Sequence, residues 1–302
     1  MRIFLTGASG FIGGSVAVHL IAAGHDVRGL VRSPERADAV AGCGIEPVLG
    51  TLDDAELLAG EAARADAVIN AASADHRNGA ETILDALAGS GKTFLHTSGS
   101  SIVGRRDAGG RSDAVFDEET PIDPSPARAA RVALNRDILA SAARNIRALI
   151  IAPSLIYGRG LGVNPDSMQV PWLIEVARRT GGARHIGAGA NVWSNVHVMD
   201  LVELYRLALE NAPSGAFYYA ENGEASMKEV CAAISRMLGQ GGSTHQMSVD
   251  EAAGYWGEGP ANDTMGSNSR VRARRARTEL GWTPASPDLI HEIEQGCYAA
   301  GR

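Results

Sequence analysis

Residues Thr6-Gly7-Ala8-Ser9-Gly10-Phe11-Ile12-Gly13 place three glycines at intervals of three. Chemistry for that spacing is phosphate binding. Gly7 permits a tight turn, Gly10 lets backbone approach a pyrophosphate, and Gly13 lets a following helix pack against the preceding strand. A helix opening at Phe11 would add unpaired N–H groups and a partial positive charge, with Ser9, Phe11 and Ile12 in the cradle. The expected ligand is a dinucleotide. Which one depends on the end of the second strand, where an acidic residue would accept hydrogen bonds from a ribose 2′-hydroxyl. This chain has Arg32 there. A guanidinium suits the extra phosphate of NADP, and one charge-assisted contact contributes about 1.5–3 kcal/mol. Arg28 and Arg36 are near enough in sequence to share that role. Leu52 and the Thr51 backbone are expected beside the adenine, and Asp53 reads as a helix cap.

These residues need elements to hold them. Arg2 to Thr6 is a short apolar run ending in the glycine turn, and Phe11 to Ala23 carries helical spacing that stops at Gly24. Further strands are predicted at Val27–Arg32, Ile45–Leu49, Ala67–Ala71, Thr93–Ser98 and Ala148–Ile151. Helices are predicted at Pro34–Ala41, Asp53–Ala63, Glu81–Ala88 and Ala127–Asn145. Strand and helix in alternation imply an α/β fold, a doubly wound parallel sheet with helices on both faces. After Pro153 the glycines of 158–162 begin an excursion containing a helix over Val170–Arg179. Val192–Val198, a helix over Asp200–Leu209 and Ala216–Ala220 are expected to return toward the sheet. Ser226 with Glu229 forms a capping-box pattern before a helix over Val230–Leu238. Gly104 to Pro126, rich in Gly, Asp, Arg and Pro, reads as a mobile surface loop. The resulting layout is a Rossmann dinucleotide-binding domain at 1–157 and 190–220, with a smaller substrate-binding lobe at 158–189 and 221–302.

Composition narrows the function classes. With 45% apolar and 21% charged residues, neither a disordered nor a fibrous chain fits. A net charge of −7, without a long run of one sign, argues against sequence-independent nucleic-acid or acidic-membrane binding. A local basic patch at Arg272, Arg274, Arg275 and Arg277 is the exception to examine. Cys43, Cys231 and Cys297 are scattered and match no metal-ligand spacing, so the expected compartment is the cytoplasm and no metal is expected. No apolar stretch has the length of a membrane span.

The glycine motif, Asn70-Ala71-Ala72, His96-Thr97-Ser98-Gly99-Ser100, Pro153-Ser154-Leu155-Ile156-Tyr157-Gly158, Asn195-Val196-His197-Val198-Met199-Asp200 and Leu280-Gly281-Trp282-Thr283-Pro284 together resemble the extended and atypical short-chain dehydrogenase/reductases. That superfamily holds the NAD-dependent epimerases and dehydratases. The resemblance spans nearly the whole chain. It implies cofactor contacts from Ala71, Ala72, Arg131 and Pro153, a small-molecule substrate under the C-terminal lobe, and a homodimer through helices flanking the sheet.

The family's chemistry uses Tyr-x-x-x-Lys on the helix after the fifth strand, with a serine at that strand's end. Here Ala127 stands at the tyrosine position, Arg131 at the lysine position, and the serine position falls on or beside Gly99, between Ser98 and Ser100. A methyl group donates no proton, and a guanidinium is a poor general acid. Ser98, Ser100 and Arg131 are therefore the expected polarising or positioning groups, with water or Tyr157 relaying the proton. His96 reads as a core histidine, His197 as a residue linking the lobes, and Trp172 and Trp193 as pocket wall or core. The resulting reading is an NADP-dependent oxidoreductase passing hydride between NADPH and a small carbonyl or imine compound. A non-catalytic NADP-binding redox sensor and a sugar-nucleotide epimerase or dehydratase stand as alternatives.

Overall fold

The structure, a computed structural model, describes residues 1–299 of the chain. Its strands are β1 (Arg2–Thr6), β2 (Asp26–Val31), β3 (Glu46–Leu49), β4 (Ala67–Asn70), β5 (Thr93–Thr97), β6 (Arg105–Arg106), β7 (Arg147–Pro153), β8 (Leu155–Tyr157), β9 (Ala183–Ile186), β10 (Val192–His197), β11 (Ala216–Ala220), β12 (Glu224–Ser226), β13 (Thr244–Met247) and β14 (Ser267–Asn268). The principal helices are α1 (Phe11–Ala22), α2 (Pro34–Ala41), α3 (Ala55–Arg64), α4 (Arg77–Leu87), α5 (Ala129–Ala140), α6 (Gln169–Thr180), α7 (Val198–Asn211), α8 (Met227–Met237) and α9 (Val249–Trp256).

Seven strands form one sheet in the order β11-β7-β5-β4-β1-β2-β3, with every pairing parallel. Successive side chains of a strand point to opposite faces, so each strand feeds two cores. Ile3 and Leu5 pack with Val16 and Leu20 of α1 and with Leu201 and Tyr205 of α7. Phe4, Val68 and Phe94 pack on the other face with Leu58 of α3, Ile83 and Leu87 of α4, and Ile138 of α5. This is the doubly wound parallel fold, with the carboxyl ends of β1, β4 and β5 opening at one edge.

A third core joins β8, α6, β9, β10, α8, β13 and α9 through Tyr157, Leu173, Ile186, Trp193, Ile234, Met247 and Ala252. Ala216–Ala220 re-enters the large sheet, whereas Val192–His197 sits between β8 and β12 in a separate three-stranded sheet. Residues 271–282, expected with the smaller lobe, pack partly on the sheet side: Val271, Ala276, Leu280 and Trp282 belong to the core of α1 and α7. The Trp282 indole donates to the Asp200 carbonyl at 2.8 Å, and the Asp200 carboxylate accepts from the backbone of Ala285 and Ser286. Ser226 and Glu229 form the expected capping box, and Ser248 with Glu251 forms a second one ahead of α9.

Two expectations are corrected. The segment 104–126 is fastened rather than loose: Phe116 exchanges backbone bonds with Arg270 and Arg272 at 2.9 and 2.8 Å, and the Asn268 amide donates to the Gly110 carbonyl and the Asp107 carboxylate. The basic patch is neutralised, because Arg272, Arg274, Arg275 and Arg277 pair with Glu224, Asp117, Glu279 and Glu221. No helix among the described residues is long and apolar enough to cross a membrane.

Trp282 is 1% exposed and ties the C-terminal segment to α7. Trp282→Ala is expected to lower unfolding free energy by about 3–5 kcal/mol, through lost burial plus the cavity left behind. Denaturant titration checks this, and an unchanged midpoint would mean the indole does not hold the segment.

Candidate functional site

The glycine turn has the geometry its spacing predicts. Gly7 adopts φ +81, and a Cβ there would lie 2.7 Å from the Ala71 carbonyl and the Ala72 nitrogen. A Cβ on Gly13 would lie 2.3 Å from the Gly7 carbonyl oxygen. Helix, turn and the end of β4 thus meet with no room for side chains. Beneath them the Thr6 hydroxyl donates to the Asn70 side-chain oxygen at 2.6 Å, and the Asn70 amide donates to the His96 Nδ1 at 3.0 Å. This buried chain of bonds fixes the relative heights of β1, β4 and β5.

Two hollows open above the cradle. The one on the β2 side, about 530 Å³, is lined by Gly7, Ser9, Gly10, Leu30, Val31, Arg32, Arg36, Thr51, Leu52, Asp53, Ala71, Ala72, Ser73, His76 and Asn164. The other, about 620 Å³, is lined by Gly10, Phe11, Ile12, Ala71, Ser154, Ile156 and the 164–169 segment with Trp172. Gly10, Ala71 and Asn164 line both, so the two are halves of one cleft over the glycine turn. A dinucleotide fits this shape: a floor of Gly7, Gly10 and the small Ala71 for its phosphates, with a compartment at each end for its two nucleosides.

At the β2 end, Arg32 is exposed and faces no carboxylate at ion-pair distance among the described residues. Arg36 joins it, whereas Arg28 does not: its guanidinium is held by Glu61 at 2.7 Å and by Glu46, and so is unavailable to a ligand. Asp53 is not the α3 cap, a place taken by Asp54. Its carboxylate instead meets His76 Nε2 at 3.1 Å on the cleft rim.

The structure separates the expected catalytic group: Ser98, Ser100, Arg131 and Tyr157 are not among the residues that line either hollow. Arg131 makes a two-pronged pair with Asp75, its Nε donating at 2.7 Å and its Nη2 completing the fork, while Nη1 donates to the Ser101 hydroxyl at 3.2 Å. The guanidinium in turn holds the Asp75 carboxyl below the usual carboxylate range. Ser98 is buried, accepting from the Asn135 amide at 2.9 Å. Ser100 is 1% exposed and accepts from the Ser269 hydroxyl at 2.8 Å, turned inward away from Arg131. Ser101, which the sequence reading passed over, is the hydroxyl that shares the guanidinium. Tyr157 is fully buried against His197 and donates its hydroxyl to the Pro287 carbonyl at 2.8 Å. Burial also pushes its pKa upward, so the packing role at the lobe junction accounts for it. Pro153 is buried at the end of β7, and its neighbours Ser154 and Ile156 reach the cleft. Ala127 lies exposed in the turn ahead of α5.

The histidines take structural parts. Burial lowers the His96 pKa to about 4, which keeps the ring neutral at neutral pH. His197 caps α7, its Nδ1 accepting from the Met199 backbone at 3.1 Å. The Trp193 indole donates to the Ser267 carbonyl inside the smaller core, whereas Trp172 faces the cleft. Asn164 is a site residue without any motif to announce it. Its amide donates to the Ser9 carbonyl at 2.6 Å and its oxygen accepts from Arg36 at 3.5 Å, strapping the excursion across the phosphate turn.

Gly99 adopts extended φ −172, and a Cβ there would meet nothing nearer than Arg131 Nη1 at 3.7 Å. Gly99→Ser is therefore expected to fold with a stability change within about 0.5 kcal/mol. A large loss in a thermal melt would contradict the open space seen there. His96 carries a pH consequence: a ring with its pKa lowered from 6.5 to about 4 favours folding above pH 6.5. That contribution drains away as pH falls through the interval, by about 3 kcal/mol in all. His96→Gln should flatten the stability profile over this interval, and an unchanged profile would contradict the burial argument.

Comparison with known proteins agrees with the geometry. The model of the NAD dependent epimerase/dehydratase family matches residues 3–219. The chain is 32% identical to "Oxidase ucsJ" of an Acremonium species, with 97% of this chain and 95% of that protein covered. It is 30% identical to the 4-hydroxy-2-methyl-3-oxo-4-farnesyl-3,4-dihydroquinoline-1-oxide ketoreductase of Stigmatella aurantiaca, covering 74% of this chain and 69% of that one. Among solved structures, dTDP-glucose 4,6-dehydratase of Bacillus anthracis in complex with NAD superposes with a TM-score of 0.78 at 19% identity, over 100% of this chain and 96% of that one. With that model matching residues 3–219 and a relative 32% identical over nearly the whole chain, the chain belongs to the NAD dependent epimerase/dehydratase family.

Proposed function

We propose that the protein is an NADP-dependent reductase acting on a small carbonyl or imine compound. The observation that carries the reading is the β2 end of the cleft. Two guanidiniums, Arg32 and Arg36, line it, and the residue that ends β2 offers no carboxylate to a ribose 2′-hydroxyl. A phosphate there gains charge-assisted bonds that a bare hydroxyl cannot. The ketoreductase name of one relative supports the reaction class.

A reduced nicotinamide dinucleotide held over the glycine turn would supply hydride, and with no acidic side chain offered the completing proton would come from water. The protein's own part is placement. The first turn of α1 and the Gly7–Gly10 backbone hold the phosphates. Arg131, locked by Asp75, offers a permanent cation near ribose hydroxyls, and the Ser101 hydroxyl beside it is poised to orient a carbonyl oxygen. Ser98 and Ser100 act through packing. The smaller lobe, with α6, β9, α8 and β13 at its core, covers the substrate side. A sensor that binds NADP without turnover is the second reading, favoured by the occupation of Tyr157's hydroxyl by Pro287. NADPH oxidation with a broad ketone, aldehyde and imine panel separates the two.

Arg32→Ala is expected to weaken NADPH binding by about ten- to a hundredfold while leaving NADH binding nearly unchanged. Fluorescence titration of both reduced cofactors measures this. Equal losses for the two, or none, would remove the argument for NADP.

A further inference from the structure

The larger half of the cleft must hold the nicotinamide end and whatever is reduced. Its walls include Phe11, Ile12, Ile156, Pro165, Met168 and Trp172, and among its described lining residues Asp166 is the one charged side chain. Met168 is 57% exposed at the mouth, a large apolar group left facing water. A sugar nucleotide would bring a second diphosphate into this half, where Asp166 repels it, no lysine or arginine is among the lining residues, and the first turn of α1 is already given to the dinucleotide. Bound phosphates otherwise gather cations or helix N-termini. The lining favours an uncharged occupant with apolar bulk.

Trp172 also lines a second hollow, about 150 Å³, between α6 and α9, together with Glu175, Val176, Arg179, Tyr255 and Trp256. There the Arg179 guanidinium lies 5.2 Å from the centre of the Tyr255 ring and pairs with Glu175 at 3.7 Å. The hollow thus sets one exposed, mutually paired Glu175–Arg179 couple among the rings of Trp172, Tyr255 and Trp256. One indole separates the two spaces.

We infer that the cleft takes an uncharged, elongated apolar compound whose reacting group lies by the glycine turn and whose tail runs toward the Tyr255–Trp256 hollow, with Trp172 as the specificity-determining wall between them. The position of the reacting group rests on the reductase reading, but the binding of the tail does not.

The test is calorimetry on NADP⁺-loaded protein with straight-chain methyl ketones from butanone to dodecanone, where binding is read without turnover. Affinity should rise about fourfold per added methylene up to a limiting length. Trp172→Ala should move that limit to longer ketones, Trp172→Phe should move it less, and Trp256→Ala should weaken the longest ketones alone. UDP-glucose should give no heat. Affinities independent of chain length, the same limiting length in wild type and both Trp172 variants, or tighter binding of UDP-glucose than of the ketones would overturn the inference. If the series binds as expected but NADPH reduces none of it, the reductase reading fails and the apolar tail site stands. If ketones are reduced without the length dependence, the reverse holds.

Discussion

The architecture of the cleft depends on one close approach. The Gly7 carbonyl oxygen lies where a Cβ of residue 13 would be, 2.3 Å from that position, so α1 sits against the end of β1 with nothing between. That contact aims the first turn of α1 at the space above β1 and β4. It also sets the height at which Gly10 and Ala71 form the cleft floor. Any side chain at residue 13 would tilt the helix and move its free N–H groups off the phosphate position. A Cβ at Gly7 would meet the Ala71–Ala72 backbone just as hard, so the turn is closed from the β4 side as well.

From that floor the two ends of the cleft diverge in character. One carries Arg32 and Arg36, neither of them paired with a carboxylate among the described residues. The other is apolar, with Phe11, Ile12, Met168 and Trp172. The strap made by Asn164 joins them, since it contacts Ser9 on the phosphate turn and Arg36 at the cationic end. Arg131 is clamped by Asp75 and touches Ser101, beside an open position at Gly99. A locked cation can orient and polarise, yet it releases no proton, so the proton in this account comes from water.

What the sequence disclosed follows from what local rules govern. The parallel doubly wound sheet and the tight glycine turn were legible because strand, turn and helix each carry their own periodic signal, and the parallel alternation admits few topologies. Arg32 was legible because it ends a strand whose neighbour is fixed. The partners of site residues were not. Asp75 lies 56 residues from Arg131, and Pro287 lies 130 from Tyr157, so neither bond has any local signature. The choice between Ser100 and Ser101 turned on a single 3-10 turn at Ser100–Val103, which rotates one hydroxyl inward to Ser269 and the next toward Arg131. The segment 104–126 looked loose because its ties run to residues 268–272, far along the chain and invisible to composition.

The claim on which the account turns is that a nicotinamide dinucleotide lies along the cleft with its extra phosphate among Arg32 and Arg36. Phosphorus NMR of NADP⁺ during titration with the protein reads each phosphate separately. The account predicts that the pyrophosphate signal moves with binding and that the 2′-phosphate shifts too, titrating at lower pH than in free NADP⁺ because two guanidiniums favour its dianion. A 2′-phosphate that titrates as it does in solution, or a spectrum that the protein leaves unaltered, would contradict it.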